Sequence, residues 1–320
     1  MKHLIILNSK AGKEKNIDEF KREIEESFKG LDYEIYFTEG PRRVISYLRE
    51  YFKKNTEETT RVYACGGDGT IHEVVNGLVG AKNAELAIYA VGTGNDFVKI
   101  YSKEKDYDSI VKGKTGEKRF KSFKELIEGK VEEIDLSKIY GPSMEEPWYS
   151  VNVINFGFDA IVGAKGNANK LKGKKNPYGP RAIIPAILGG RFNKIVVKAD
   201  GKPLNKKRLL MSAVSQGQWV GAQYHASPKS DNKDGLMDVT LLHCMSLMRL
   251  MIKFFGPYTK GEHLDNPKLR KKFEYAQAKE VEIISPKKDI DICVDGEMIR
   301  GKTFKVEVCP KALKFVVPNN

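Results

Sequence analysis

Cysteine is scarce in this 320-residue chain: Cys65, Cys244, Cys293 and Cys309, with no two spaced as a CxxC pair. That excludes a thioredoxin-like redox centre and a zinc ribbon, and it fits a protein whose thiols stay reduced in the cytoplasm. The five histidines, His3, His72, His225, His243 and His263, lack zinc-site spacing. No stretch approaches the ~18 uninterrupted apolar residues of a membrane-spanning helix. The opening run Leu4-Ile5-Ile6-Leu7 is too brief for the apolar core of a secretory leader. Internal repeats and low-complexity tracts are lacking, which excludes solenoid and fibrous designs.

Positive charge is abundant. There are 55 Lys and Arg against 42 Asp and Glu, a formal net charge of +13, with 41% hydrophobic residues. The composition is that of a globular protein, and the length suggests two domains. Residues 1–130 carry 24 basic and 22 acidic side chains, whereas residues 131–320 carry 31 and 20. The surplus therefore belongs to the second part. No RNA- or DNA-binding motif accompanies the lysines, so nucleic acid is not an expected partner. An anionic membrane surface and simple solubility are the two readings left.

Residues 1–130 alternate short apolar runs with helical stripes. Leu4–Leu7, Tyr33–Phe37, Val62–Cys65 and Leu86–Val91 have the pattern of strands. Between them, Ile17/Phe20/Ile24/Phe28, Val44/Ile45/Leu48/Tyr51/Phe52 and Ile71/Val74/Val75/Leu78 recur at helical spacing. Strands joined by helices imply crossovers and a mainly parallel sheet, hence an α/β domain. Beyond residue 130, β-type segments dominate: Trp148–Phe156, Lys194–Ala199, Leu209–Ser215, Met237–His243, Val281–Ile284, Ile290–Val294 and Phe304–Val308. They predict a mainly antiparallel β domain over residues 131–304, interrupted by helical patches at Arg181–Leu188 and Leu247–Phe255.

Three strand-to-helix loops carry anion-binding chemistry, on the sheet edge where open α/β folds bind ligands. They are Asn8-Ser9-Lys10-Ala11-Gly12, Gly66-Gly67-Asp68-Gly69-Thr70 and Gly92-Thr93-Gly94-Asn95-Asp96. Glycines let backbone N–H groups approach a phosphate, and the following helix aims its N-terminus at it. Asp68 and Asp96 are anions inside anion-binding loops, a combination that a bridging Mg²⁺ reconciles. In the second part, Asp295-Gly296-Glu297 pairs two carboxylates around a turn. A carboxylate there can act as the base for a hydroxyl acceptor, and a plain hairpin turn has the same dipeptide.

These residues resemble the signature loops of the diacylglycerol kinase catalytic-domain family, which includes soluble bacterial diacylglycerol kinases and sphingosine kinases. The resemblance continues through Asn155-Phe156-Gly157-Phe158-Asp159-Ala160, Asp234-Gly235-Leu236-Met237-Asp238 and Asp295-Gly296-Glu297, in family order. It implies a Rossmann-like α/β nucleotide-binding domain and a C-terminal antiparallel β-sandwich, related to the two-domain plan of NAD kinases. The C-terminal tail, residues 305–320, would return to the first domain. It also implies ATP- and Mg²⁺-dependent phosphorylation of a lipid hydroxyl, foremost that of diacylglycerol.

Residue roles follow from the same resemblance. Asn8, Ser9, Lys10, Ala11, Gly12 and Thr38 would contact the nucleotide. Gly66, Gly67, Asp68, Gly69 and Thr70, with Gly92, Thr93, Asn95 and Asp96, would hold the triphosphate, Asp68 and Asp96 taking the catalytic Mg²⁺. Asp295 and Glu297 would activate the acceptor, their roles not separable from sequence. Asp231, Asp234 and the Leu236 carbonyl would hold a structural Mg²⁺, with Asp135 and Lys15 as members of a supporting network. The first loop departs from the family in having Lys10-Ala11 beside its glycine.

Two other functions compete. An NAD kinase shares the GGDGT loop, but the GTGND loop and the late Asp-Gly-Glu motif argue against it. A non-catalytic membrane-surface nucleotide binder would have no need for Asp68, Asp96, Asp295 and Glu297 together. Basic residues Lys165, Lys170, Lys172, Lys174, Lys175 and Arg181 read as a loop. With the apolar-basic patch Leu247–Phe255 they predict transient peripheral contact with an anionic membrane by a cytoplasmic protein. A homodimer stays open.

Overall fold

The structure is a computed structural model that describes residues 1–8, 17–92, 94–102, 110, 119–175, 180–190, 193–246, 248 and 250–319. It divides into two compact units. One comprises Met1–Leu136, Gly221–Gln223 and Pro310–Asn320; the other comprises Ser137–Val220 and Tyr224–Cys309.

In the first unit, β1 (Lys2–Leu7), β2 (Tyr33–Phe37), β3 (Thr60–Gly66) and β4 (Ala84–Ala90) pair in the order β2-β1-β3-β4, all parallel. Every residue of β3 and β4 is buried, as expected of parallel strands covered on both faces. Helix α1 (Ile17–Ser27) buries Phe20 and Ile24, and α2 (Arg43–Lys54) buries Val44, Leu48 and Phe52, each set one helical turn apart. Helix α3 (Asp68–Leu78) is buried nearly all round. Register positions the loops: Leu7 lies opposite Cys65, and Gly66 opposite Ala90. The chain therefore leaves β1, β3 and β4 at one level of one sheet edge. The last strand, β16 (Thr303–Val317), ends in this unit, with Phe315 parallel to Leu86 of β4.

The second unit is a β-sandwich. One layer is a six-stranded antiparallel sheet in the order β12-β11-β10-β7-β14-β15. These strands are β7 (Val153–Gly157), β10 (Leu209–Ser215), β11 (Met237–His243), β12 (Phe273–Ala278), β14 (Ile290–Val294) and β15 (Glu297–Gly301). The facing layer includes β8 (Val196–Ala199) and β13 (Glu280–Ile284), the latter paired with the first half of β16. Ile154, Phe156, Val239, Leu241 and Ile292 of one layer meet Val197, Val281, Ile283 and Phe304 of the other in one buried core. The α/β plus antiparallel sandwich architecture is the one the sequence predicts.

Three expectations change. The strand anticipated over Trp148–Phe156 is two strands, β6 (Trp148–Ser150) and β7. The break falls at Val151-Asn152, whose N–H groups donate to the Asp295 carboxylate. The supposed basic loop begins as a helix, Phe158–Leu171, which carries Lys165 and Lys170. Gly163 and Gly166 dilute its apolar stripe, but Phe158 and Ala160 are buried and Ile161 and Val162 pack beside them. The patch at Leu247–Phe255 resolves into a π-helical turn, Leu250–Phe254, followed by a helix, Phe255–Lys260.

Candidate functional site

The glycine loops of the first unit pack backbone against backbone. A Cβ on Gly92 would lie 2.6 Å from the Gly67 Cα and 2.9 Å from Asn95 Oδ1. A Cβ on Gly94 would lie 2.6 Å from Asp68 Oδ2 and 3.5 Å from Asp96 Oδ2. Only glycine fits these positions without displacing a neighbour, and both carboxylates flank Gly94. Gly67 opens α3 in extended conformation with no side-chain cap, so the first-turn N–H groups of Asp68, Gly69 and Thr70 form the positive end of the helix. Gly66 also admits no side chain, because Thr70 packs over its Cα.

Neighbouring residues tie these loops together. Asn8 donates its backbone N–H to the Cys65 carbonyl at 3.1 Å and its Nδ2 to Thr70 Oγ1 at 3.1 Å. Thr38 extends the β1–β2 ladder by donating its N–H to Leu7 O at 3.0 Å. The Asp96 N–H donates to Asp68 Oδ1 at 3.3 Å. Asn95 has a positive φ of 47° and donates its Nδ2 to Gly92 O at 2.8 Å, while its Oδ1 is buried without a partner. Ser9, Lys10, Ala11, Gly12, Lys15 and Thr93 lie outside the described residues.

Sequence reading missed the group that organises Asp96. Lys99, in the 3₁₀ turn Phe97–Tyr101, is buried and donates its Nζ to Asp96 Oδ1 at 2.8 Å and to Ala222 O at 2.7 Å. The Ala222 N–H donates to Asp96 Oδ1 at 3.0 Å. The three-residue spacing from Asp96 to Lys99 was visible in sequence; Ala222, 126 residues away, was not. Asp96 is thus held in a buried ion pair with both oxygens engaged, beside the half-buried Asp68. The set fits Mg²⁺, which is commonly held by one or two carboxylates with substrate phosphates completing the shell. Among the described residues no group of three or more His, Cys, Asp or Glu is arranged around a metal position.

In the second unit, Asp295 and Gly296 form a two-residue turn between β14 and β15, with φ of 49° and 98°. Asp295 is buried. Its Oδ1 accepts from Ser150 Oγ at 2.7 Å, Val153 N–H at 2.9 Å and Asn152 N–H at 3.2 Å, and its Oδ2 from Val151 N–H at 2.9 Å. Those donors use both oxygens to hold the β6–β7 connection. Glu297, by contrast, is exposed at the start of β15. The two carboxylates differ in setting: Asp295 is buried and bonded within the turn, and Glu297 is exposed.

Asp159, quoted in a motif without a role, sits in the first turn of helix Phe158–Leu171. Its Oδ2 accepts from Asn155 Nδ2 at 2.7 Å, its Oδ1 is buried without a partner, and burial pushes its carboxyl up to about 7. The same helix sends Asn167 Nδ2 to the Gly296 carbonyl at 3.2 Å. His72 is buried in α3.

The acidic turn expected to hold a structural Mg²⁺ is built from its own backbone. Asp231 Oδ1 accepts from Lys233 N–H at 3.0 Å, and Asp234 Oδ1 from Leu236 N–H at 2.9 Å. Asp234 Oδ2 accepts from Gln277 Nε2 at 3.1 Å. Asp238 is buried and takes a short hydrogen bond from the Tyr275 hydroxyl. Asp135 is fully buried and accepts the Lys311 N–H at 2.7 Å.

Comparison with known proteins covers both units. Residues 2–139 match the diacylglycerol kinase catalytic domain, and residues 152–317 match the YegS C-terminal NAD kinase beta sandwich-like domain. A probable lipid kinase YegS-like of Yersinia enterocolitica is 23% identical, over 99% of this chain and 97% of its own. A diacylglycerol kinase of Mycobacterium tuberculosis is 24% identical, over 82% of this chain and 78% of its own. Among solved structures, a putative diacylglycerol kinase from Bacillus anthracis superposes with a TM-score of 0.69 at 20% identity, over 99% of this chain and 97% of its own.

Proposed function

The chain belongs to the lipid kinases that join a diacylglycerol kinase catalytic domain to a YegS-type sandwich, and on that premise we propose that it transfers the γ-phosphoryl group of ATP to the free hydroxyl of diacylglycerol, forming phosphatidic acid. The observation that carries this reading is the glycine cradle. Gly67, Gly92 and Gly94 let two loops pack backbone against backbone at an uncapped helix N-terminus, whose first-turn N–H groups suit phosphates, with Asp68 beside them. Bound Mg²⁺ would neutralise charge on the phosphoryl oxygens, held by Asp68 with Asp96 alongside. Glu297 takes the acceptor's hydroxyl proton while that oxygen bonds to the γ-phosphorus and the bridging P–O bond to ADP breaks. Asp295 positions Glu297 by fixing the turn and takes no proton itself.

The same proposal extends to a cytoplasmic protein that touches membranes peripherally. Ile184, Met248 and Ile252 are 55%, 73% and 73% exposed, around a buried cluster that includes Ala186, Leu250 and Phe254. Arg181 and Lys253 are exposed on the same segments. Apolar side chains ringed by cations suit an anionic lipid surface.

The test is a parallel assay of the purified chain with labelled ATP and, separately, diacylglycerol, a sphingoid base, a polyprenol and NAD. Label is expected in phosphatidic acid, and its transfer is expected to vanish in Asp68→Asn. Labelled NADP, with no labelled lipid, would overturn the proposal; label in another lipid would correct only the acceptor.

A further inference from the structure

The second unit contains a cavity of about 220 Å³ that none of the motifs above uses, lined by Lys207, Arg208, His243, Cys244, Lys271 and Lys272. Three strand ends bring these residues together. Leu209 pairs with His243 where β10 begins and β11 ends, and Leu242 pairs with Phe273 where β12 begins. The Cys244 N–H donates to Arg208 O at 3.1 Å, which closes the first pair beyond the strands. The 3₁₀ turn Arg270–Lys272 delivers the remaining cations.

The lining has one sign. Four permanent cations converge, no carboxylate lines the cavity, and none of the four forms an ion pair among the described residues. Gathering like charges is unfavourable unless an anion offsets them. His243 belongs to the same lining: it is 5% exposed, and its Nε2 lies 3.0 Å from Glu274 Oε1. The volume falls below the ~300–1,000 Å³ of pockets for drug-sized ligands and suits a small anionic group. Arg208 supplies a planar fork matched to phosphate oxygens, and the lysines supply point charge.

We propose that this cavity binds a phosphate monoester or free phosphate, at a site separate from the glycine cradle and from Glu297. The proposal holds whichever acceptor the kinase uses. A lipid headgroup is the favoured carrier of the phosphate. Phe273, next to Lys272, stacks on Phe254 at 6.3 Å, and Phe254 closes the π-helical turn that exposes Ile252. The cavity wall and an exposed apolar side chain thus belong to one packed structure.

The experiment compares the full chain with an Arg208→Ala/Lys272→Ala double variant, after equal melting temperatures establish that both fold. Inorganic phosphate is titrated against each by calorimetry, with the His243 ring resonance followed by NMR. Each is also sedimented with phosphatidylcholine vesicles with and without phosphatidic acid. Saturable phosphate binding that shifts the His243 resonance is expected, weakened about tenfold or more in the double variant. If the variant also loses sedimentation with phosphatidic acid vesicles, and phosphate competes with the wild-type binding, the headgroup is the ligand. If only phosphate binding is weakened, the free anion is the ligand. A phosphate titration identical in both proteins, or one that leaves the His243 resonance unmoved, overturns the site.

Discussion

Two acidic glycine turns stand at the centre of the proposed chemistry, and they need glycine for opposite reasons. In the first unit, Gly92 and Gly94 are crowded: any side chain would strike Gly67, Asn95 or Asp68. In the second, Gly296 has nothing within 4 Å of a would-be Cβ, and its requirement is a φ of 98°. One turn is limited by packing and the other by backbone conformation. Both nevertheless set an aspartate bound by several donors beside a second, more accessible carboxylate. Asp96 is bound to Lys99 and Ala222, beside Asp68; Asp295 is bound by four donors, beside Glu297.

That division can be broken most sharply at Glu297. Glu297→Gln is expected to lower kcat about 10²–10⁴-fold, the usual worth of a general base, with the urea midpoint unchanged. Asp295→Ala is expected to shift the midpoint instead, since it strands Ser150 and three N–H groups. Steady-state kinetics alongside urea unfolding checks both, and a Glu297 variant with full activity ends the distinction. Next in size is Lys99→Met, which leaves the Asp96 carboxylate buried without its cation. A loss of about 3–5 kcal/mol is expected, with part of it regained in Asp96→Asn/Lys99→Met. Equal stability of the single and double variants would show that the pair is not coupled. The smallest effect belongs to Gly296→Ala, expected to cost about 1–2 kcal/mol from its left-handed backbone alone. A much larger loss in calorimetric melting would mean that packing constrains this turn as well.

The parallel sheet was legible in sequence because its strands are continuous apolar runs and its helices carry clean stripes, as in Val44, Leu48 and Phe52. The glycine loops were legible because the crowding that demands glycine leaves a mark at each position. The split between β6 and β7 was hidden: Val151 and Asn152 look like strand, and only Asp295, more than 140 residues on, diverts their N–H groups. Helix Phe158–Leu171 was hidden by its glycines and lysines. Ala222 was hidden for a deeper reason, since it contributes a backbone N–H and carbonyl, which every residue but proline possesses. The separation of Asp295 from Glu297 depended on burial, which a shared Asp-Gly-Glu triplet does not encode.

Phe315 has a consequence for how the protein is made. It is fully buried in the first unit, packed edge-on against Phe97 at 5.2 Å. Domains ordinarily fold in the order they leave the ribosome. Here the amino-terminal unit takes in residues from Pro310 onward, so its core stays unfinished until nearly the entire chain has emerged. The first unit, encoded first, is thus completed last, after the sandwich has been synthesised.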